Sequence, residues 1–113
     1  MTFSSYYYST IVPTGGPQIV NCEVLNLTAL GMNWNEPHHL DQNGPIEHYW
    51  IYIWNKDTDE LVFSTILKSP SDIQVPSLDP YHNYNCSVAA FARGGLGPFT
   101  TANVWLTDQG ERE

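Results

Sequence analysis

The run Leu78-Asp79-Pro80-Tyr81-His82-Asn83-Tyr84-Asn85-Cys86-Ser87-Val88-Ala89-Ala90 decides how the chain is read. Asp79-Pro80 is turn chemistry, because proline presets φ and an aspartate before it favours turn initiation. Beyond it, Tyr84, Cys86, Val88 and Ala90 recur at every second position, which is the period of a strand. A strand over 82–92 is the expectation, and the rest of the chain follows the same rhythm.

No window of useful length places apolar residues at i, i+3, i+4 and i+7, whereas alternation recurs throughout. Seven strands are expected: β1 over 18–25, β2 over 29–35, β3 over 46–55, β4 over 60–68, β5 over 71–77, β6 over 82–92 and β7 over 99–107. The breaks between them have a mechanism. Asn43-Gly44-Pro45 is a turn, Asp57-Thr58-Asp59-Glu60 a polar hairpin tip, Lys68-Ser69-Pro70-Ser71 a break, and Gly94-Gly95-Leu96-Gly97-Pro98 reads as a loop. Short strands at regular spacing with turns between them predict an all-β antiparallel sandwich of two sheets.

The bulk composition agrees. The 113 residues are 42% hydrophobic and 13% aromatic, so the chain is long and apolar enough for one independent core. Net charge is −8 with four basic residues, Lys56, Lys68, Arg93 and Arg112. A nucleic acid or an anionic membrane surface needs clustered Lys and Arg, so neither is an expected partner. Met1 to Tyr8 lacks the basic start and apolar run of a secretory leader. Ser9-Thr10-Ile11-Val12-Pro13-Thr14 resembles Thr101-Ala102-Asn103-Val104-Trp105-Leu106-Thr107. Residues 1–16 therefore read as the linker or tail of a preceding repeat, 17–107 as the domain, and 108–113 as a linker to a following domain.

Certain residues then fall in a familiar order: Pro17, Trp34 followed by Glu36-Pro37, Asn43-Gly44-Pro45-Ile46, Tyr49, Leu78-Asp79-Pro80 with Tyr84, Val88-Ala89-Ala90, and Gly95-Leu96-Gly97-Pro98-Phe99-Thr100. Over about residues 17–107 this resembles the fibronectin type III pattern. The resemblance implies that Trp34 and Tyr84 are core markers, the second as a corner tyrosine whose hydroxyl bonds back to the upstream backbone. It implies inward positions for Val20, Cys22, Leu30, Met32, Tyr49, Ile51, Ile53, Ile73, Val75, Cys86, Val88 and Ala90. Cys22 and Cys86 then lie in opposite sheets, where a disulfide is expected, with two buried free thiols as the rival. The same Cys22, Trp34 and Tyr84-Asn85-Cys86 also mimic an immunoglobulin signature. In that fold the tryptophan sits on the third strand, yet here Pro37 and a polar loop follow Trp34 at once. The register of β7 stays open, since Val104 and Leu106 alternate against the family's habit.

Chemistry-bearing residues are sparse. His38, His39, His48 and His82 lack the spacing of a zinc set. Asp57, Asp59 and Glu60 lack the central Gly and terminal Glu of a calcium loop. The glycine cluster precedes Pro98 rather than opening a helix, so it is no phosphate cradle. No nucleophile has a partner motif, and neither catalysis nor a cofactor or metal is expected. Asn26-Leu27-Thr28 and Asn85-Cys86-Ser87 are N-glycosylation sequons if the chain is secreted.

The resemblance implies an extracellular adhesion or receptor module in a tandem array, most like ectodomains of receptor-type tyrosine phosphatases or large adhesion receptors. A spacer of a matrix protein or a cytokine-type receptor domain are the alternatives. Its expected partners are neighbouring domains of the same kind and a protein, or a second copy, docked on the outer face of β3. There period two sends His48, Trp50, Tyr52 and Trp54 outward together, with Phe91 extending the stripe from β6.

Overall fold

The alternating run at the heart of the sequence forms β6 (His82–Ala92), which is bonded on both sides. The computed structural model describes residues 12–42 and 44–107, so residues 1–11 of the expected 1–16 linker, the expected linker at 108–113, and Asn43 in its turn lie outside the described residues. β6 pairs with β3 (Ile46–Asn55) and with β7 (Gly95–Leu106), and β4 (Glu60–Leu67) adds beyond β3, all antiparallel. The second sheet is β1 (Gln18–Asn26), β2 (Ala29–Asn35) and β5 (Ile73–Val75), in that order. The architecture is a seven-stranded sandwich of a four-stranded and a three-stranded sheet. One turn of 3-10 helix, His39–Asp41, lies in the β2–β3 connection.

Register explains the core. β3 and β6 set Tyr49 against Ala90, Ile51 against Val88 and Ile53 against Cys86, all on one face. Leu30, Met32 and Trp34 from β2 meet that face, and Val75, Leu78 and Leu106 close the cluster. Each such side chain contributes roughly 1.5–3 kcal/mol on burial, so this layer dominates the fold's stability. Trp34 packs against Tyr49 with ring centroids 5.9 Å apart. It lies on the second strand, and Cys22 on the first, which separates this fold from the immunoglobulin pattern. The Cys22–Cys86 disulfide joins the two sheets, with Cα atoms 6.5 Å apart, inside the range such bonds span.

The turns use side chains where backbone partners run out. Asn55 is buried, and its Oδ1 accepts from the backbone N–H of Asp57 and Thr58 at 2.9 and 3.2 Å, closing the β3–β4 turn. The Tyr84 hydroxyl donates to the carbonyl of Asp79 at 2.6 Å, locking the β5–β6 corner. Burial, then the Asp79 charge, raises the phenol's pKa. Tyr84→Phe keeps the ring but strips that carbonyl of its partner, and a loss of about 1–3 kcal/mol is expected. A lower urea midpoint at unchanged m-value would establish it.

Two strands differ from expectation. β7 begins at Gly95, not residue 99, so the glycine run is mostly strand and the turn is confined to Arg93-Gly94. The ladder steps from Phe91↔Leu96 to Ala89↔Phe99, leaving Gly97 and Pro98 in a bulge. Proline has no N–H to offer, and a bulge on an edge strand is where it is tolerated. Gly97 is needed for closeness: a Cβ there would sit 2.8 Å from the carbonyl oxygen of Pro13. β5 shrinks to Ile73–Val75 because Pro76 ends donation and Ser77 takes a positive φ of 65°. The last residues of the expected 1–16 linker, 12–16, are described and pack on the domain. Pro13 and Pro17 are buried, and Thr100 Oγ1 donates to the Pro17 carbonyl at 2.8 Å, so this segment lines the free edge of β7.

Candidate contact face

The outer face of the four-stranded sheet follows from the same registers. Because Tyr49, Ile51 and Ile53 point inward, His48, Trp50, Tyr52 and Trp54 point out. β4 adds Leu61, Ser64 and Ile66 opposite Trp54, Tyr52 and Trp50. β6 adds Asn85, Ser87, Ala89 and Phe91. On β7, Ala102, Val104 and Leu106 turn inward, so Phe99, Thr101, Asn103 and Trp105 complete the face.

The rings hold one another. Trp50 stacks on Phe91 at 5.9 Å with planes 8° apart, and His48 meets Phe91 in a tilted contact, also at 5.9 Å. Tyr52 contacts Phe99 at 5.6 Å. Ala89 sits between Trp50 and Phe99 in the ladder and is fully buried although it points outward, because the neighbouring rings shade it. Mutual packing limits the rotamers left to freeze on binding, which favours an aromatic contact surface. Much apolar area nonetheless remains open: Ile66 is 54% exposed, Trp105 47%, Phe99 42% and Trp54 38%. Sequence reasoning missed Ile66, Phe99 and Trp105. Counting alternation backward from Leu106 finds Trp105, but the bulge at Gly97-Pro98 hides the phase of Phe99.

The charges gather at the two ends of this face. None of the side chains just named carries a formal charge with His48 neutral. At the β3–β4 end stand Asp57, Asp59, Glu60 and Lys56; at the opposite end stand Lys68, Arg93 and Glu47. Asp57 accepts from the backbone N–H of Asn83 at 3.1 Å and faces His82 Nδ1 at 3.0 Å. These two contacts, the backbone one first, hold its carboxyl below the usual range and tie the hairpin tip to β6.

The other candidates lie apart. His38 and His39 stack at 4.8 Å in the β2–β3 loop, and His38 Nδ1 accepts from the Leu40 N–H. Among the described residues no group of three or more His, Cys, Asp or Glu is placed to hold a metal. Asn26 is exposed at the β1–β2 turn, where its Oδ1 accepts from the backbone N–H and hydroxyl of Thr28 at 3.0 and 3.3 Å. Asn85 is half-buried on the aromatic face, where its Oδ1 accepts from Asn103 Nδ2 at 3.1 Å.

A family model for the fibronectin type III domain matches residues 15–104. Protein sidekick-2 of Mus musculus is 34% identical over 100 residues, covering 87% of this chain and 5% of that protein. Cell adhesion molecule Dscam1 of Drosophila melanogaster is 27% identical over 104 residues, again covering 87% of this chain and 5% of that protein. The chain thus spans about a twentieth of these relatives' length. The crystal structure of the FN5 domain of Drosophila Lar superimposes with a TM-score of 0.61 at 27% identity, covering 81% of this chain and 94% of that one.

Proposed function

The chain belongs to the fibronectin type III family, a non-catalytic module here, and from that premise we propose that it serves as an extracellular adhesion or receptor domain in a tandem array, docking a second copy of itself through the outer face of β4-β3-β6-β7. The observation that carries this reading is a broad, ring-packed, uncharged face on a chain of net charge −8. A basic partner would be drawn to the acidic β3–β4 end instead. A second copy brings the same neutral aromatic surface, and in an antiparallel two-fold arrangement each Lys68 and Arg93 end meets an Asp57, Asp59 and Glu60 end. The residues opposing that pattern are Lys56 and Glu47, one at each end.

The size of the face sets the strength. Four strands about 4.8 Å apart, with about eight residues at ~3.3 Å each, make a face on the order of 500 Å². Two such faces bury about 1,000 Å² in total, at the low end for a specific interface. A weak contact of this kind gains from repetition along an array.

Sedimentation at graded concentrations tests the reading. Trp54→Ser with Phe99→Ser is expected to weaken self-association at least tenfold, whereas Leu25→Ser on the other sheet leaves it unchanged. Lys68→Glu and Asp59→Lys each weaken it, and together they restore part of it. Equal association of the Trp54/Phe99 variant and the parent chain would refute the proposal.

A further inference from the structure

We propose that Asn85 is an N-glycosylation site whose occupancy is decided by a race with the Cys22–Cys86 disulfide, and that its glycan masks the aromatic face; the masking half rests on the homophilic reading above. The two sequons sit in opposite circumstances. Asn26 lies in an exposed turn with the Thr28 hydroxyl beside its carboxamide, so it stays reachable after folding. Asn85 lies in β6, paired on one side with Trp54 and on the other with Asn103. The middle residue of its sequon, Cys86, is fully buried and bonded to Cys22, 64 residues earlier. A central strand bonded on both sides cannot swing out to an enzyme, and sequons are modified in accessible segments.

Asn85 is therefore modified before β6 is locked, or not at all. In transfer, its Nδ2 attacks C1 of a lipid-diphosphate-linked oligosaccharide. The N–C1 bond forms, the C1–O bond breaks, the lipid diphosphate leaves with the electron pair, and Nδ2 gives up one proton. In the competing step, the Cys22 and Cys86 thiols exchange with the disulfide of an oxidised carrier protein. The S–S bond forms between them, and the carrier departs as a dithiol holding their two electrons and two protons. Cys22 precedes the sequon in the chain, so its thiol is already present when Cys86 arrives. Two populations result. Molecules that oxidise first fold with a bare Asn85. Molecules that are glycosylated first carry a sugar chain rooted beside Trp54, on an inner strand of the outer face toward its β3–β4 end. A glycan there shields Trp54 and its neighbours from a second copy, while the inward core of β6 is untouched.

Peptide mass spectrometry on the whole chain expressed in a secretory host reads the race directly. Wild type is expected to show both bare and glycosylated Asn85. Cys22→Ser is expected to raise the glycosylated fraction at least twofold with Asn26 unchanged. Because transfer precedes folding, intracellular protein suffices if the variant is retained. Brief treatment of cells with a thiol reductant during synthesis of the wild-type chain gives the same readout without a substitution. A bare Asn85 under all these conditions, or a fraction that ignores both perturbations, overturns the race. Masking is read separately, by sedimenting the lectin-bound and lectin-free fractions. Self-association confined to the lectin-free fraction of Asn26→Gln protein supports it, and equal association overturns it. If neither fraction associates, masking falls together with the homophilic reading, while the race stands or falls on the peptide ratios alone.

Discussion

Trp34→Ala is expected to destabilise the domain by about 3–5 kcal/mol, the range for deleting a large buried aromatic. Trp34 is 3% exposed on β2 and spans the gap to Tyr49 on the facing sheet. Its neighbours Leu30, Met32, Ile51 and Val88 are themselves fully or almost fully buried, so the cavity has little freedom to collapse. Against a typical total of about 5–15 kcal/mol, the variant loses roughly a fifth of its stability or more. Trp34→Phe separates volume from polarity. The indole Nε1 is buried without a hydrogen-bond partner among the described residues, so phenylalanine removes ring volume and no hydrogen bond. A loss well below that of the alanine variant is expected. Urea titration of both variants checks the pair, and near-equal losses would show that the tryptophan is not acting as a volume filler.

That tryptophan was legible from the sequence because its surroundings punctuate it. Pro37 and the polar loop after it stop β2 just past Trp34, which distinguishes this sandwich from its immunoglobulin mimic. Strands β1 to β4 and β6 were legible within a residue or so for a similar reason: turn residues bound them and alternation fills them. β7 was not. Gly95, Leu96, Gly97 and Pro98 have the composition of a loop, and what makes them strand is tertiary: a two-residue turn before them, a bulge that absorbs the proline, and the approach of Pro13. The face inherited that gap. His48, Trp50, Tyr52, Trp54 and Phe91 follow from period two on β3 and β6, but Phe99, Trp105 and Ile66 needed the cross-strand registers. The stack of Trp50 on Phe91 is likewise a property of a pairing between β3 and β6, invisible to any one segment.

The second large effect acts through the unfolded chain. Replacing Cys22 and Cys86 together by alanine is expected to lower stability by roughly 4 kcal/mol, because the bond closes a loop with a sequence separation of 64 residues and removing it frees that loop in the unfolded ensemble. The loop holds β2 to β5, two of the three strands of one sheet and two of the four of the other, so the unfolded chain gains many arrangements. Part of the loss in the alanine variant is local, since Cys86 is fully buried beside Ile53 and its sulfur fills core volume. Reduction of the wild-type chain removes the cross-link and keeps both sulfurs, so the two perturbations bracket the terms. If loop entropy dominates, reduced wild type and the double alanine variant unfold at closely similar urea concentrations, both far below the oxidised protein, with a larger m-value because the released chain exposes more surface. If core volume dominates instead, reduction changes the midpoint little and the alanine variant alone falls. Trp34→Ala and the cysteine pair share one core cluster, so combining them would not give additive losses. Each loss alone, roughly 4 and about 3–5 kcal/mol, is already a large share of the stability of an ordinary domain, so even short of additivity the triple variant is expected to be substantially unfolded at room temperature without denaturant.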